Sequence, residues 1–169
     1  MAAKMTIEKI EKHLNLDAHY LEYLHSAARK SFGDEEGGKL VVEFFKFFIM
    51  AINFPDKEIR ISKAIDEIWH FAILETKHYR KLNSENNSGR FLDHSKIERD
   101  DAQSERGSEV RDSLEFCLNY INLYGEFPSD AIQFWPQANQ ISILSKSSGE
   151  NLNNFLHEIF QNASAARET

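Results

Sequence analysis

An acid and a histidine lie four residues apart in a stretch of the chain that is otherwise mostly apolar. The stretch SKAIDEIWHFAILETKHY, residues 62–79, carries Asp66 and His70. Residues four apart in an α-helix share one face, so this carboxylate and this imidazole would stand side by side. Apolar residues surround them on the helical wheel. We therefore expect the pair to face another part of the protein, shielded from solvent.

A buried carboxylate needs a partner, because burying it unpaired costs several kcal/mol. A third group, His94 in RFLDHSK, could join Asp66 and His70. Three interpretations stay open, one of which is that Asp66 and His70 form an exposed pair with no particular role. The three side chains could form a structural Asp–His–His cluster that fixes the loop after the helix. Alternatively, they could bind a divalent metal such as zinc or iron and leave a fourth coordination position open.

The elements that position these residues are predicted to be helices. The chain has 169 residues with only seven Gly and three Pro, which favours long helices over strands. We predict an all-α fold, a single compact domain over residues 1–169, with five to seven helices around a central apolar helix at about 62–83. The other helices are predicted at residues 6–14, 17–31, 39–53, 108–124 and about 150–162, with the polar FGDEEGG as a turn between the second and third. Asp17 is a candidate N-cap of the second helix, and Ser62 is a candidate N-cap of the central helix.

Charge and hydropathy exclude several functions. The net charge of −7 argues against nucleic-acid binding. The longest apolar stretch, residues 40–54, is interrupted by Glu43 and Lys46 and is shorter than the roughly twenty residues that span a bilayer. The N-terminal sequence is unlike a signal peptide. We therefore expect a cytoplasmic protein without a membrane segment, in which the single cysteine, Cys117, is a buried hydrophobe.

The central stretch resembles a known family. IDEIWHFAILETKHYRKLNSENNSGRFLDH is similar to the pattern D-x-x-W-H-x-H-I-x-x-T-x-x-Y followed by G-x-F-x-x-H of the glycine-rich domain-containing protein-like family, which has small bacterial members and plant members. SLEFCLNYINLYGEFPSDAIQFWP resembles the closing helix of that family. The resemblance covers about residues 40–136, and the matching positions are Asp66, Trp69, His70, Thr76, Tyr79, Gly89, Phe91, His94, Tyr120, Gly125, Pro128, Trp135 and Pro136.

The resemblance implies a helical fold and a candidate cluster rather than a particular reaction. It places Trp69, Thr76, Tyr79 and Gly89 as a structural cluster around the candidate ligands. This chain departs from the family pattern at Ala72, where the family has a second histidine, and at Asn83, where it has a cysteine. The missing histidine removes one potential metal ligand.

The sequence leaves the activity open. It contains no glycine-rich phosphate loop and no nucleophile elbow, and whether the protein is an enzyme stays undecided. The leading interpretation is a non-enzymatic helical module that binds a protein or a small ligand, with Asp66, His70 and His94 as a structural cluster. The alternative is a metal-binding protein or metal-dependent enzyme that uses the same three residues.

Overall fold

Every regular element that the structure describes is helical. A computed structural model describes residues 7–87, 90–94, 106–147 and 151–165, and within these ranges it contains no strand. The α-helices are α1 Ile7–Leu14, α2 Ala18–Phe32, α3 Asp34–Asn53, α4 Lys63–Leu74, α5 Thr76–Asn86, α6 Arg106–Tyr124, α7 Pro136–Ser147 and α8 Leu152–Ala165. A 3-10 turn spans Ile132–Phe134. The all-α prediction is confirmed, although the eight described helices exceed the predicted five to seven.

The helices divide into two compact units. One unit holds α1 to α5, and the other holds α6 to α8. This division leaves the prediction of one domain over residues 1–169 untested. Among the described residues, no helix combines the length and the apolar character that crossing a membrane requires.

The core of the first unit is built on α3. Its side chains from Leu40 to Met50 are buried at every position except one. The buried side chains include Glu43 and Lys46, which form an ion pair at 2.7 Å. The predicted start of this helix near residue 39 is wrong, because α3 already begins at Asp34. Acidic residues in its first turn suit the positive end of the helix dipole.

The glycines of FGDEEGG explain why α2 and α3 lie so close together. Gly33 ends α2 with a φ of 84°, a left-handed conformation that glycine adopts without strain. Gly37 lies inside α3, where an added Cβ would stand 2.7 Å from the carbonyl carbon of Ala28 on α2. The segment predicted as a turn therefore becomes a close helix crossing.

The predicted continuous helix over about 62–83 is wrong, because it is broken at Glu75. This residue has a φ of −83° and a ψ of 62°, so α4 ends at Leu74 and α5 begins at Thr76. The Tyr20 hydroxyl donates a 3.0 Å hydrogen bond to the carbonyl of Ala72, which would accept the amide of residue 76 in an unbroken helix. A side chain that enters the backbone ladder in this way is a known cause of a helix kink.

The second unit packs around aromatic rings from α6 and the segment after it. Tyr120 stacks on Phe127 with ring centroids 3.8 Å apart, and Trp135 meets Tyr120 edge to face at 5.7 Å. Cys117 lies in this core, as predicted, and burial raises the pKa of its thiol to about 12. Helix α7 was not predicted at all, because its sequence PQANQISILSKS carries few apolar residues at helical spacing.

Candidate metal centre

Two of the three candidate ligands come from one turn of α4. Ser62 caps this helix, because its hydroxyl oxygen accepts a 3.3 Å hydrogen bond from the amide of Ile65. The cap was predicted, and it fixes the helical register in which Asp66 and His70 share a face. The third ligand, His94, closes the described segment of residues 90–94.

The structure brings the three side chains together. Nε2 of His94 lies 2.7 Å from Oδ1 of Asp66, and Nδ1 of His70 lies 3.5 Å from Oδ2 of the same carboxylate. The two imidazole rings meet edge to face, with centroids 4.2 Å apart. One donor atom from each of the three residues lies within 4.8 Å of the others. The predicted convergence is therefore confirmed as geometry.

The predicted shielding from solvent is wrong. The side chains of Asp66 and His70 are 41% and 53% exposed, while that of His94 is 15% exposed. Helix α4 is buried on one side, through Ile65, Ile68, Trp69 and Ala72. Its last residue, Leu74, is 71% exposed. An apolar composition around the wheel suggested a helix buried on all sides, but α4 lies at the surface and presents the cluster outward.

A backbone contact fixes the tautomer of His70. Its Nδ1 lies 2.8 Å from the carbonyl oxygen of Asp66. A carbonyl oxygen only accepts hydrogen bonds, so Nδ1 must carry the hydrogen in this contact. In the neutral ring, Nε2 then holds the free lone pair. Histidine ligands in metal sites are commonly oriented by a bond of this kind from the other ring nitrogen.

Trp69 and Tyr79 support His94 from behind. The indole ring of Trp69 meets the imidazole of His94 edge to face at 4.6 Å, and the indole Nε1 donates a 2.8 Å hydrogen bond to the Tyr79 hydroxyl. That hydroxyl donates in turn to the Leu92 carbonyl at 2.6 Å. Burial is the main reason why the pKa of Tyr79 is raised.

Thr76 and Gly89 are the remaining members of the predicted structural cluster. Thr76 is exposed at the first residue of α5, and Gly89 is outside the described residues. The structure adds Asn83 to this cluster, because its side-chain oxygen accepts a 2.7 Å hydrogen bond from the amide of Leu92. No motif or spacing in the sequence predicts this contact, since Asn83 stands out there only as a departure from the family pattern.

The donor set fits a divalent transition metal. Two imidazoles and a carboxylate are ligands that zinc and iron(II) both accept. Tetrahedral ligands about 2.0 Å from zinc stand about 3.3 Å apart. The contact between His94 and Asp66, at 2.7 Å, would have to open by several tenths of an ångström, and the widest separation, within 4.8 Å, would have to close. Side-chain rotation can supply both movements, because Asp66 and His70 are half exposed.

This is the only such group in the part of the chain that the structure describes: no other three His, Cys, Asp or Glu residues bring donor atoms so close together.

No protein-family model matches the chain, and the searches of curated proteins and of solved structures found no match.

Proposed function

We propose that this protein binds a divalent transition-metal ion through Asp66, His70 and His94. The observation that supports the proposal is the convergence of the three donor groups within 4.8 Å at a half-exposed surface. A cluster open to solvent can admit an ion without unfolding. The leading alternatives for the ion are zinc and iron(II), the two metals that this ligand set suits best.

The state of each ligand supports the proposal. Because Nδ1 of His70 is bonded to the carbonyl of Asp66, the lone pair of the neutral ring lies on Nε2. His94 donates its Nε2 hydrogen to Asp66, since a carboxylate oxygen accepts, so an ion entering between the two must displace that hydrogen. An ion held by these three protein ligands would keep a fourth coordination position open, and it would act as a Lewis acid on a molecule bound at that position.

The test is a zinc titration of untagged, metal-free protein, with His70→Ala and His157→Ala as variants. His157 is a matched control: its exposed imidazole also stands beside one carboxylate, that of Glu126, at 3.4 Å, but among the described residues no third donor group joins them. We expect one zinc ion per chain in the wild type and in His157→Ala, and loss of that ion in His70→Ala. Equal zinc binding by all three proteins would contradict the proposal.

A second candidate function is favoured by the direct 2.7 Å hydrogen bond between His94 and Asp66, which forms without any ion. In this candidate the cluster holds residues 90–94 onto α4 in a non-enzymatic module that binds a protein or a small ligand. A wild type that binds no zinc, but that His94→Ala destabilises, would favour this candidate. Membership of the glycine-rich domain-containing protein-like family, which the motif resemblance suggests, stays a prediction, as does the nature of the partner.

A further inference from the structure

The backbone amide and the backbone carbonyl of Leu92 are each held by a side chain of α5. Its amide donates to Oδ1 of Asn83 at 2.7 Å, and its carbonyl accepts from the Tyr79 hydroxyl at 2.6 Å. Tyr79 and Asn83 are four residues apart, so they lie on one face of the helix. Both are buried, with 2% and 1% of their surface exposed. We call this pair of hydrogen bonds the Leu92 clamp.

The Leu92 clamp restricts where His94 can be. Two residues of chain span at most about 7 Å, so the position of Leu92 sets that of His94 closely. The residues before Leu92 are also held, because the amide of Arg90 donates to the carbonyl of Asn87 at 2.8 Å and the ring of Phe91 packs on Tyr79 at 5.5 Å. The segment is therefore attached to α5 over its first half, and its last residue reaches α4.

The Tyr79 hydroxyl is also hydrogen-bonded to Trp69, the other residue that holds His94. It accepts the 2.8 Å hydrogen bond from Nε1 of Trp69, whose ring packs against the His94 imidazole. One hydroxyl thus holds both the backbone that leads to His94 and the indole beside its ring. Removing this oxygen leaves the indole N–H without its acceptor and the Leu92 carbonyl without its donor.

We infer that Tyr79 is a positioning residue of the metal site. Its hydroxyl holds His94 against Asp66, and it thereby sets the affinity of the site for a divalent cation without contacting the ion. The inference rests on the proposed function. Its physical reason is preorganisation: a ligand that is already in place loses less conformational freedom when the ion binds.

Tyr79→Phe tests the inference, with Tyr20→Phe as the matched control. Tyr20 is equally buried, and its hydroxyl also donates to a backbone carbonyl, that of Ala72 at 3.0 Å, yet no described hydrogen bond joins it to residues 90–94. Zinc affinity is measured by competition with a chromophoric chelator. We expect Tyr79→Phe to weaken zinc binding by about tenfold or more, as is typical for residues that orient a ligand, and Tyr20→Phe to change it by less than about twofold.

A second measurement on the metal-free proteins separates this inference from the proposed function. Nuclear Overhauser effects between the rings of Trp69 and His94 should be present in the wild type and in Tyr20→Phe, and weakened or lost in Tyr79→Phe. If the wild type binds no zinc, the proposed function fails, and with it the effect on affinity, while the ring contacts still decide whether Tyr79 positions His94.

Two results would overturn the positioning role. One is equal zinc affinity and unchanged ring contacts in Tyr79→Phe. The other is an equal loss of affinity in both tyrosine variants, which would assign the effect to general destabilisation. If Tyr79→Phe does not fold, Asn83→Ala removes the other half of the Leu92 clamp, and the same two measurements are expected to give the same result.

Discussion

Changing Asp66 to Asn removes the one charge that joins both histidines while keeping the size of the side chain. In the metal-free protein, a charge-assisted hydrogen bond from His94 becomes a neutral one, and α4 loses a negative charge from its first turn. Because the Asp66 side chain is 41% exposed, we expect the lower end of the usual range for such a change, a loss of about 1 kcal/mol in the free energy of unfolding.

The effect on metal binding should be larger. Zinc at one hundred times its dissociation constant should stabilise the wild type by about 2.7 kcal/mol, since it binds only the folded state. An amide is a poor replacement for a carboxylate ligand. If the variant binds zinc about one hundredfold more weakly, the same zinc concentration should stabilise it by only about 0.4 kcal/mol.

The assay is urea denaturation with and without zinc, in which Trp69 reports on the unit that carries the site. The chain has two tryptophans, so all the proteins carry Trp135→Phe to leave Trp69 as the single fluorescent indole. Asp93→Asn is the control, because it removes an exposed carboxylate next to His94 and outside the cluster. It should lose less than about 0.5 kcal/mol and keep the full stabilisation by zinc. The same zinc stabilisation in Asp66→Asn as in the wild type would refute the assignment of this carboxylate as a ligand.

Three further predictions concern the rest of the chain. Gly37→Ala should lower the free energy of unfolding by about 2 kcal/mol, because its Cβ would stand 2.7 Å from the carbonyl carbon of Ala28. Gly38→Ala has open space around it and should raise the free energy of unfolding by up to about 1 kcal/mol. Equal effects of the two substitutions in urea denaturation would contradict the close crossing of α2 and α3. Burial is the main reason why the pKa of His25 is lowered from its ordinary value of 6.5, so the unfolded chain binds this proton more readily than the folded protein does. The contribution of His25 to the free energy of unfolding is therefore full at higher pH and should be lost as the pH falls below about 6.5. His25→Gln should flatten that part of the stability profile, and an unchanged profile would disprove the cause. The Cys117 thiol, with its pKa raised to about 12, should resist a thiol reagent at pH 8 in the folded protein and react once urea unfolds it; prompt reaction in the native state would show that it is not buried.

Local signals in the sequence were enough to predict the starts of α2 and α4. Asp17 and Ser62 were predicted as caps, and both accept backbone hydrogen bonds at the starts of α2 and α4. These predictions succeed because a cap depends on the residue and its immediate neighbours. The break at Glu75 could not be predicted in this way, since its surroundings contain no Gly or Pro and the carbonyl at the break is bonded by Tyr20, from a different helix.

The candidate site was predictable in its ligands but not in its setting. The spacing of Asp66 and His70 predicted the shared helix face, and His94 is the first histidine after the predicted helix. Exposure of the cluster was missed because an apolar composition does not show which side of a surface helix is left uncovered. The Leu92 clamp was missed because Asn83 bonds a backbone amide nine residues away, and such a contact leaves no periodic signal.

The most direct test of the account is X-ray absorption spectroscopy of the zinc-loaded protein. If Asp66, His70 and His94 bind the ion, the spectrum should show two imidazole ligands and oxygen ligands at about 2.0–2.2 Å, and one imidazole should disappear in His94→Ala. A zinc ion surrounded by oxygen alone, or a spectrum that His94→Ala leaves unchanged, would contradict the claim that these three side chains form a metal site.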